Sequence, residues 1–396
     1  MRPTRAVIHL NAILHNADCV RHQLPSATHI CAAVKANGYG HGAVRTAQAL
    51  QSRGIHSVGV AVPEEGIVLR DAGYRGEILL FSPFFPNEAT DIAVHELTPM
   101  VFDSERIKAL QSAAANTEKT IKVFLKIDTG MGRIGCPPHE AVPLAQMIKS
   151  APNLTQTGTA THFAAADNRD TAFAHSQLTL FLQSVKQLRA HNIECGRLST
   201  ANSGAVIAFP DSAGLDLARP GIMLYGYFPS SEIIRNQPLI PAMTLESAVS
   251  LIKRVPAGSP VSYGMTYTTT HETEIATIPV GYADGVFRAL SNRGRVWING
   301  KTYPIVGRIC MDQFMVDLGL NSGIQLYDRV VLFGPPQHAA DGTDSQETPP
   351  TAEDIAELCS TIPYEIICAV SNRIPRVYQD TPLCPPCTSA AAAANR

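Results

Sequence analysis

Ile30-Cys31-Ala32-Ala33-Val34-Lys35-Ala36-Asn37-Gly38-Tyr39-Gly40-His41-Gly42 is an apolar run that ends in a lysine and passes through a loop with glycine at every second position. A helix-like pattern comes next at 43–50. Strands covered on both faces read as continuous apolar runs, and in barrels of parallel strands the chemistry collects at the strand ends. Lys35 stands at such an end. A lysine after a strand is usually only leaving the core for water. The loop alters that reading, because glycines let the backbone approach a bound group closely and Tyr39 adds a rigid hydroxyl. An amine beside a phosphate-sized nook points to a Schiff base with pyridoxal phosphate.

Outward from this stretch, strand-like runs at 29–34, 57–62, 77–81, 99–102, 121–127, 155–162, 197–200 and 215–218 alternate with helical patterns at 11–21, 64–72, 104–115, 139–149 and 171–191. The alternation predicts a (β/α)8 TIM-like barrel over 11–238, preceded by a strand within 1–10 that packs with the C-terminal domain. From about 239 the texture changes to short strand-like runs at 245–255, 274–280, 295–298, 314–318 and 329–332, which predicts a mostly β module to 380. One helix is expected at 351–359, capped by Thr351 with Asp354 three residues on. Residues 338–350 read as an exposed acidic loop without a calcium pattern, and 381–396 as a disordered tail.

Composition narrows the function classes. A net charge of -2 marks neither nucleic acid nor a membrane surface as partner. No apolar stretch has the length of a signal peptide core or of a membrane span, so a cytoplasmic protein is expected. Nine scattered cysteines, an odd number, do not make a disulfide framework. Cys384-Pro385-Pro386-Cys387 has zinc or redox spacing but lacks a second ligand pair, so no metal is expected.

In Ile121-Lys122-Val123-Phe124-Leu125-Lys126-Ile127-Asp128-Thr129-Gly130-Met131-Gly132-Arg133, strand alternation puts Val123, Leu125 and Ile127 on one side and Phe124 and Lys126 on the other. A lysine pointing into a barrel is costly if charged and unpaired, and the plain alternative is a surface pair of Lys126 with Asp128. His162, in Thr161-His162-Phe163, has no second ligand at metal spacing. Tyr263 in Val261-Ser262-Tyr263-Gly264-Met265 and Arg219 in Leu217-Ala218-Arg219-Pro220-Gly221 would pass, taken singly, for a packed aromatic and an ordinary turn.

Together these segments resemble the alanine racemases. Val34 to Gly42 is similar to the family's cofactor-lysine motif, and further matches recur as far as Tyr378. The resemblance implies pyridoxal 5'-phosphate as cofactor, alanine as substrate, and a homodimer with shared active sites. Its chemistry is a two-base exchange of the α-proton, serving D-alanine supply for peptidoglycan or D-alanine breakdown. It implies Lys35 and Tyr263 as the two bases, Tyr263 entering the partner subunit's site. A free phenol titrates near ~10 and needs neighbours that stabilise its phenolate to act as a base. Cofactor contacts fall on Lys35, Tyr39, His162, Asn202, Ser203, Arg219, Gly221, Ile222 and Tyr364, and substrate contacts on Arg133 and Met311. Lys126, often carbamylated in the family, would hold Arg133, while Tyr282 and Asp312 would narrow the entrance. Arg219 at the ring nitrogen can only donate, which leaves that nitrogen unprotonated and the ring a weaker electron sink.

Three other readings compete. A broad-spectrum racemase of the same fold is expected to be exported, and Lys126 argues against it. A barrel decarboxylase needs a glycine triplet and an acidic residue where Arg219 stands, and the sequence has no Gly-Gly-Gly. A non-catalytic pyridoxal-phosphate-binding barrel lacks a β module. Asn372 departs from the family pattern, standing where a basic residue is common, so a charge contact at that position is not expected.

Overall fold

The computed structural model describes residues 2–210, 215–335 and 347–380. The predicted tail with Cys384 and Cys387, and most of the predicted acidic loop, lie outside the described residues.

Eight parallel strands form the first unit: β2 (His29–Ala33), β3 (Ser57–Val60), β4 (Glu77–Leu80), β5 (Thr98–Val101), β6 (Ile121–Lys126), β7 (Leu154–Ala160), β8 (Arg197–Ser199) and β9 (Leu217–Ala218). They pair in the order β8-β7-β6-β5-β4-β3-β2-β9. The ring closes where the Asp216 N–H donates to the Leu198 carbonyl at 3.1 Å and the Arg219 N–H to the Ala201 carbonyl at 2.8 Å. Cys31, Leu79, Met100, Phe124, Ala160 and Leu217 fill the barrel interior, whereas Val123, Leu125 and Ile127 join the larger core outside it. The period-2 reading of this strand therefore matches the structure. Gly158 makes room for Phe124, since a Cβ there would collide with its ring.

The second unit is a nine-stranded sheet ordered β11-β14-β17-β16-β15-β18-β10-β1-β19. Its strands are β1 (Arg5–His9), β10 (Met243–Ala248), β11 (Leu251–Val255), β14 (Thr273–Ile278), β15 (Arg295–Ile298), β16 (Lys301–Val306), β17 (Phe314–Gly319), β18 (Arg329–Phe333) and β19 (Arg376–Gln379). β1 pairs antiparallel with β10 and parallel with β19. A small hairpin, β12 (Pro260–Val261) with β13 (Tyr267–Thr268), stands apart from this sheet.

Two expectations need correction. The run 245–255 is two strands, because the chain breaks at Val249 and Ser250, whose N–H groups donate to the Asp328 and Thr277 carbonyls. β10 then lies inside the sheet and β11 at its edge. The helix Ala352–Cys359 has the expected capping box, with the Asp354 N–H donating to Thr351 Oγ1 at 3.1 Å, but a second helix, Pro363–Ala369, comes after it. That helix opens on proline, which removes an amide that would be unpaired in a first turn anyway. Among the described residues no helix is long and apolar enough to cross a membrane.

Candidate active site

Lys35 leaves β2 into an unusual turn. Ala36, Asn37, Gly38, Tyr39 and Gly40 all have positive φ, between 50° and 81°. Left-handed backbone costs an L-residue roughly 1–2 kcal/mol, so Ala36 and Tyr39 must be held there by their surroundings. Glu65 does part of this, accepting the Ala36 N–H at 2.6 Å and the Ala61 N–H at 2.8 Å. Asn37 Oδ1 accepts the Ala43 N–H at 3.0 Å, and fully buried His41 donates from Nδ1 to the Tyr39 carbonyl at 2.8 Å. Glycine at position 40 lets the helix Pro363–Ala369 lie on the turn, since a Cβ would collide with the Ile367 carbonyl oxygen. That helix brings Tyr364 to the turn, its ring 6.0 Å from that of Tyr39.

A cleft of about 240 Å³ opens at the C-terminal ends of the barrel strands. Its lining includes Lys35, Tyr39, Lys126, Arg133, His162, Asn202, Ser203, Arg219, Gly221 and Ile222, every barrel-side residue of the sequence reading, together with Tyr364 from the second unit. At one end the neutral donors gather. The Gly221 N–H donates to Ser203 Oγ at 2.9 Å, and a Cβ on Gly221 would collide with Tyr39 Oη. Asn202 also lines the cleft, but its Oδ1 caps the helix Ser203–Ala208 by accepting the Ala205 N–H.

The opposite side is cationic. Arg219 is buried and donates to the Thr161 carbonyl at 2.6 Å, to His162 Nδ1 at 3.3 Å and to Ser199 Oγ. Because arginine only donates, Nδ1 of His162 is the acceptor and the ring proton sits on Nε2. Burial, with Lys126 and Arg219 adjoining, pushes the His162 pKa well below its ordinary value. Burial brings Arg219 down to about 10, still a cation at neutral pH. Lys35 is lowered by burial and then by Arg133. Lys126 is lowered strongly by burial and then by Arg219 and Arg133.

The surface pair of Lys126 with Asp128 does not form. Lys126 is 3% exposed inside the barrel mouth, and Asp128 instead accepts the N–H groups of Gly130, Met131 and Gly132, shaping the loop that carries Arg133. Asp167 is the one carboxylate in the cleft lining among the described residues. So many cations around a nook of neutral donors suit a ligand with two anionic groups. The residues present thus fit a phosphate-bearing aldehyde cofactor and a carboxylate substrate. Sequence reading missed Glu65, Asp167 and the loop-holding role of Asp128, because each acts through hydrogen bonds or cleft placement that carry no motif.

Tyr263, Tyr282, Met311 and Asp312 line a second cleft, on the β module. Within one chain they do not join the Lys35 cleft. Tyr263 is 72% exposed. Asp312 accepts from Arg373 at 2.7 Å, so a charge contact exists one residue beyond the neutral Asn372.

A parallel barrel with a strand-end lysine in a cleft of basic side chains, joined to a β module, is the architecture of a two-domain barrel enzyme. The family described as "Alanine racemase, N-terminal domain" matches residues 8–229, and "Alanine racemase, C-terminal domain" matches 242–378. The alanine racemase of Treponema denticola is 41% identical over 96% of this chain and 99% of its own length. The structure of alanine racemase from Clostridium difficile 630 superposes with a TM-score of 0.89 at 34% identity, covering 95% of this chain and 96% of that one. That of Bacillus anthracis with bound L-Ala-P gives 0.88 at 35% identity, covering 96% and 95%. The chain belongs to the alanine racemase family.

Proposed function

We propose that this protein interconverts L-alanine and D-alanine with pyridoxal 5'-phosphate as cofactor, working as a cytoplasmic homodimer that supplies D-alanine for peptidoglycan or draws on it for catabolism. The observation that carries the reading is the cleft itself, where Lys35 shares one lining with the neutral donors Tyr39, Ser203 and Tyr364 and with the basic side chains Lys126, Arg133 and Arg219. Tyr39, Ser203, Tyr364 and the backbone of Gly221 and Ile222 would hold the cofactor phosphate, Arg219 would donate to the ring nitrogen, and His162 would support the ring. Asn202 acts through the cap it provides. When bound, the cofactor supplies an electron-withdrawing ring that acidifies the α-proton of the substrate.

Racemisation needs a proton removed from one face and one returned to the other. Lys35 Nζ serves one face; its lowered pKa favours the free amine that can accept a proton. Tyr263 Oη serves the other face from the partner subunit, which accounts for an exposed tyrosine in a cleft of its own. Arg133 and the Met311 N–H bind the substrate carboxylate, while Tyr282 and Asp312 narrow the entrance. Lys126, whose pKa is lowered strongly by burial and then by Arg219 and Arg133, is suited to carbamylation, which would place an anion beside those two arginines.

The test is incubation with L-alanine in deuterated water, then chiral separation and an α-deuterium count. D-alanine carrying α-deuterium, absent with Lys35→Ala, is the expected result. Loaded protein that yields neither exchange nor inversion would refute the alanine reading.

A further inference from the structure

Tyr263 sits at the tip of the hairpin formed by β12 and β13, and the tip is strained. Ser262, Gly264 and Met265 have φ of 65°, 70° and 48°. Among non-glycine residues such angles persist only where neighbours impose them. The exposed tip makes few packing contacts that could do so; the apolar cluster of Val261, Ile275 and Val306 lies at the hairpin base.

What holds the tip is a set of polar ties to a segment on either side of β15 and β16. Ser262 Oγ donates to the Arg308 carbonyl at 2.6 Å on one arm. On the other, Asn292 Nδ2 donates to Thr266 Oγ1 at 3.1 Å and to the Thr266 carbonyl at 3.4 Å. The same amide accepts the Gly307 N–H through Oδ1 at 2.5 Å. At Gly307 the two backbones approach closely, since a Cβ there would meet the Val261 carbonyl oxygen at 2.8 Å. Asn292 itself has φ 58°, a conformation asparagine tolerates better than most residues. One side chain thus bridges the two segments using both ends of its amide. Tyr267 Oη, donating to Asp317 Oδ2 at 2.6 Å, anchors the base of the hairpin, so the tip is held by Ser262 on one arm and by Asn292 on the other.

We infer that Asn292 is a positioning residue for proton transfer by Tyr263: its amide fixes the hairpin tip so that the phenol reaches the reacting carbon. The inference rests on the proposed role of Tyr263 as the second base. It makes Asn292 selective for one of the two bases, because Lys35 stands on a separate turn with its own supports.

Asn292→Gly is the informative variant, as glycine keeps the positive φ while removing the amide. In deuterated water, inversion is expected to fall at least tenfold, while α-deuterium incorporation into the enantiomer served by Lys35 stays within about threefold of the unaltered enzyme. Placed on Tyr263→Phe, Asn292→Gly is expected to add no further loss of inversion, since both act on one step. In the cofactor-free protein, amide hydrogen exchange of the peptide 260–268 is expected to accelerate at least tenfold, with barrel peptides unchanged. Equal losses of inversion and exchange, additive losses in the double variant, or an unchanged 260–268 peptide would each overturn the inference. If Tyr263→Phe alone left inversion intact, the failure would lie with the proposed role of Tyr263 and not with Asn292.

Discussion

Asp128→Ala removes the acceptor of three successive loop amides, those of Gly130, Met131 and Gly132, now bound at 2.9–3.2 Å. Hydrogen bonds to a charged group contribute about 1.5–3 kcal/mol each when well shielded. This loop is open to water, which replaces part of each bond, so the three together are worth ~1–3 kcal/mol. The loop ends at Arg133, proposed to bind the substrate carboxylate, a group present alike in ground and transition states. The loss should therefore appear as a rise in KM for alanine of about 5- to 150-fold with kcat nearly unchanged. Asp128→Asn keeps a carbonyl at Oδ1 and should show a smaller rise. The assay is initial-rate racemisation in both directions with chiral detection. A fall in kcat at constant KM, or wild-type kinetics in Asp128→Ala, would refute the assignment of the loop to substrate binding.

Burial holds His9 and His41 at about 4, against 6.5 unperturbed, so both are neutral in the folded protein. Their contribution to stability is present above pH ~6.5 and is lost as pH falls toward 4, by about 3 kcal/mol each. Urea unfolding at pH 7 and pH 4.5 checks this, and an equal midpoint at both would refute it. Glu65→Ala should cost ~1–3 kcal/mol by freeing the amides of Ala36 and Ala61, read as a lower denaturant midpoint; an unchanged midpoint means the left-handed turn stands without it. Specific activity should fall on dilution below the dimer's dissociation range, and activity strictly proportional to protein would exclude a shared site. In protein equilibrated with carbon-13 bicarbonate, a carbamate resonance is expected that disappears in Lys126→Met; a resonance surviving that change would place the carbamate elsewhere.

Much of the fold was legible because it is written in local periodicity. The eight apolar runs became the barrel strands, the alternation at 123–127 sorted Phe124 from its neighbours, and Thr351 with Asp354 marked a helix start. The barrel-side residues were legible for a related reason: each lies close behind a strand, and a parallel barrel brings all such ends to one face. The break at Val249 and Ser250 was not legible, since two consecutive apolar strands look like one until their partners, Asp328 and Thr277, are known.

By itself, the sequence determined the strand and helix alternation of the barrel, the amine at the end of β2 and the residue types around it, because these depend on spacing along the chain. Only the tertiary structure decided that β1, expected to pack with the β module, lies between β10 and β19, that Asp128 holds a loop and does not pair with Lys126, and that Tyr263 lies in a cleft apart from Lys35. Those outcomes arise from hydrogen bonds and burial between residues remote in sequence, where one backbone group is chosen over many equivalent ones and no local pattern records the choice.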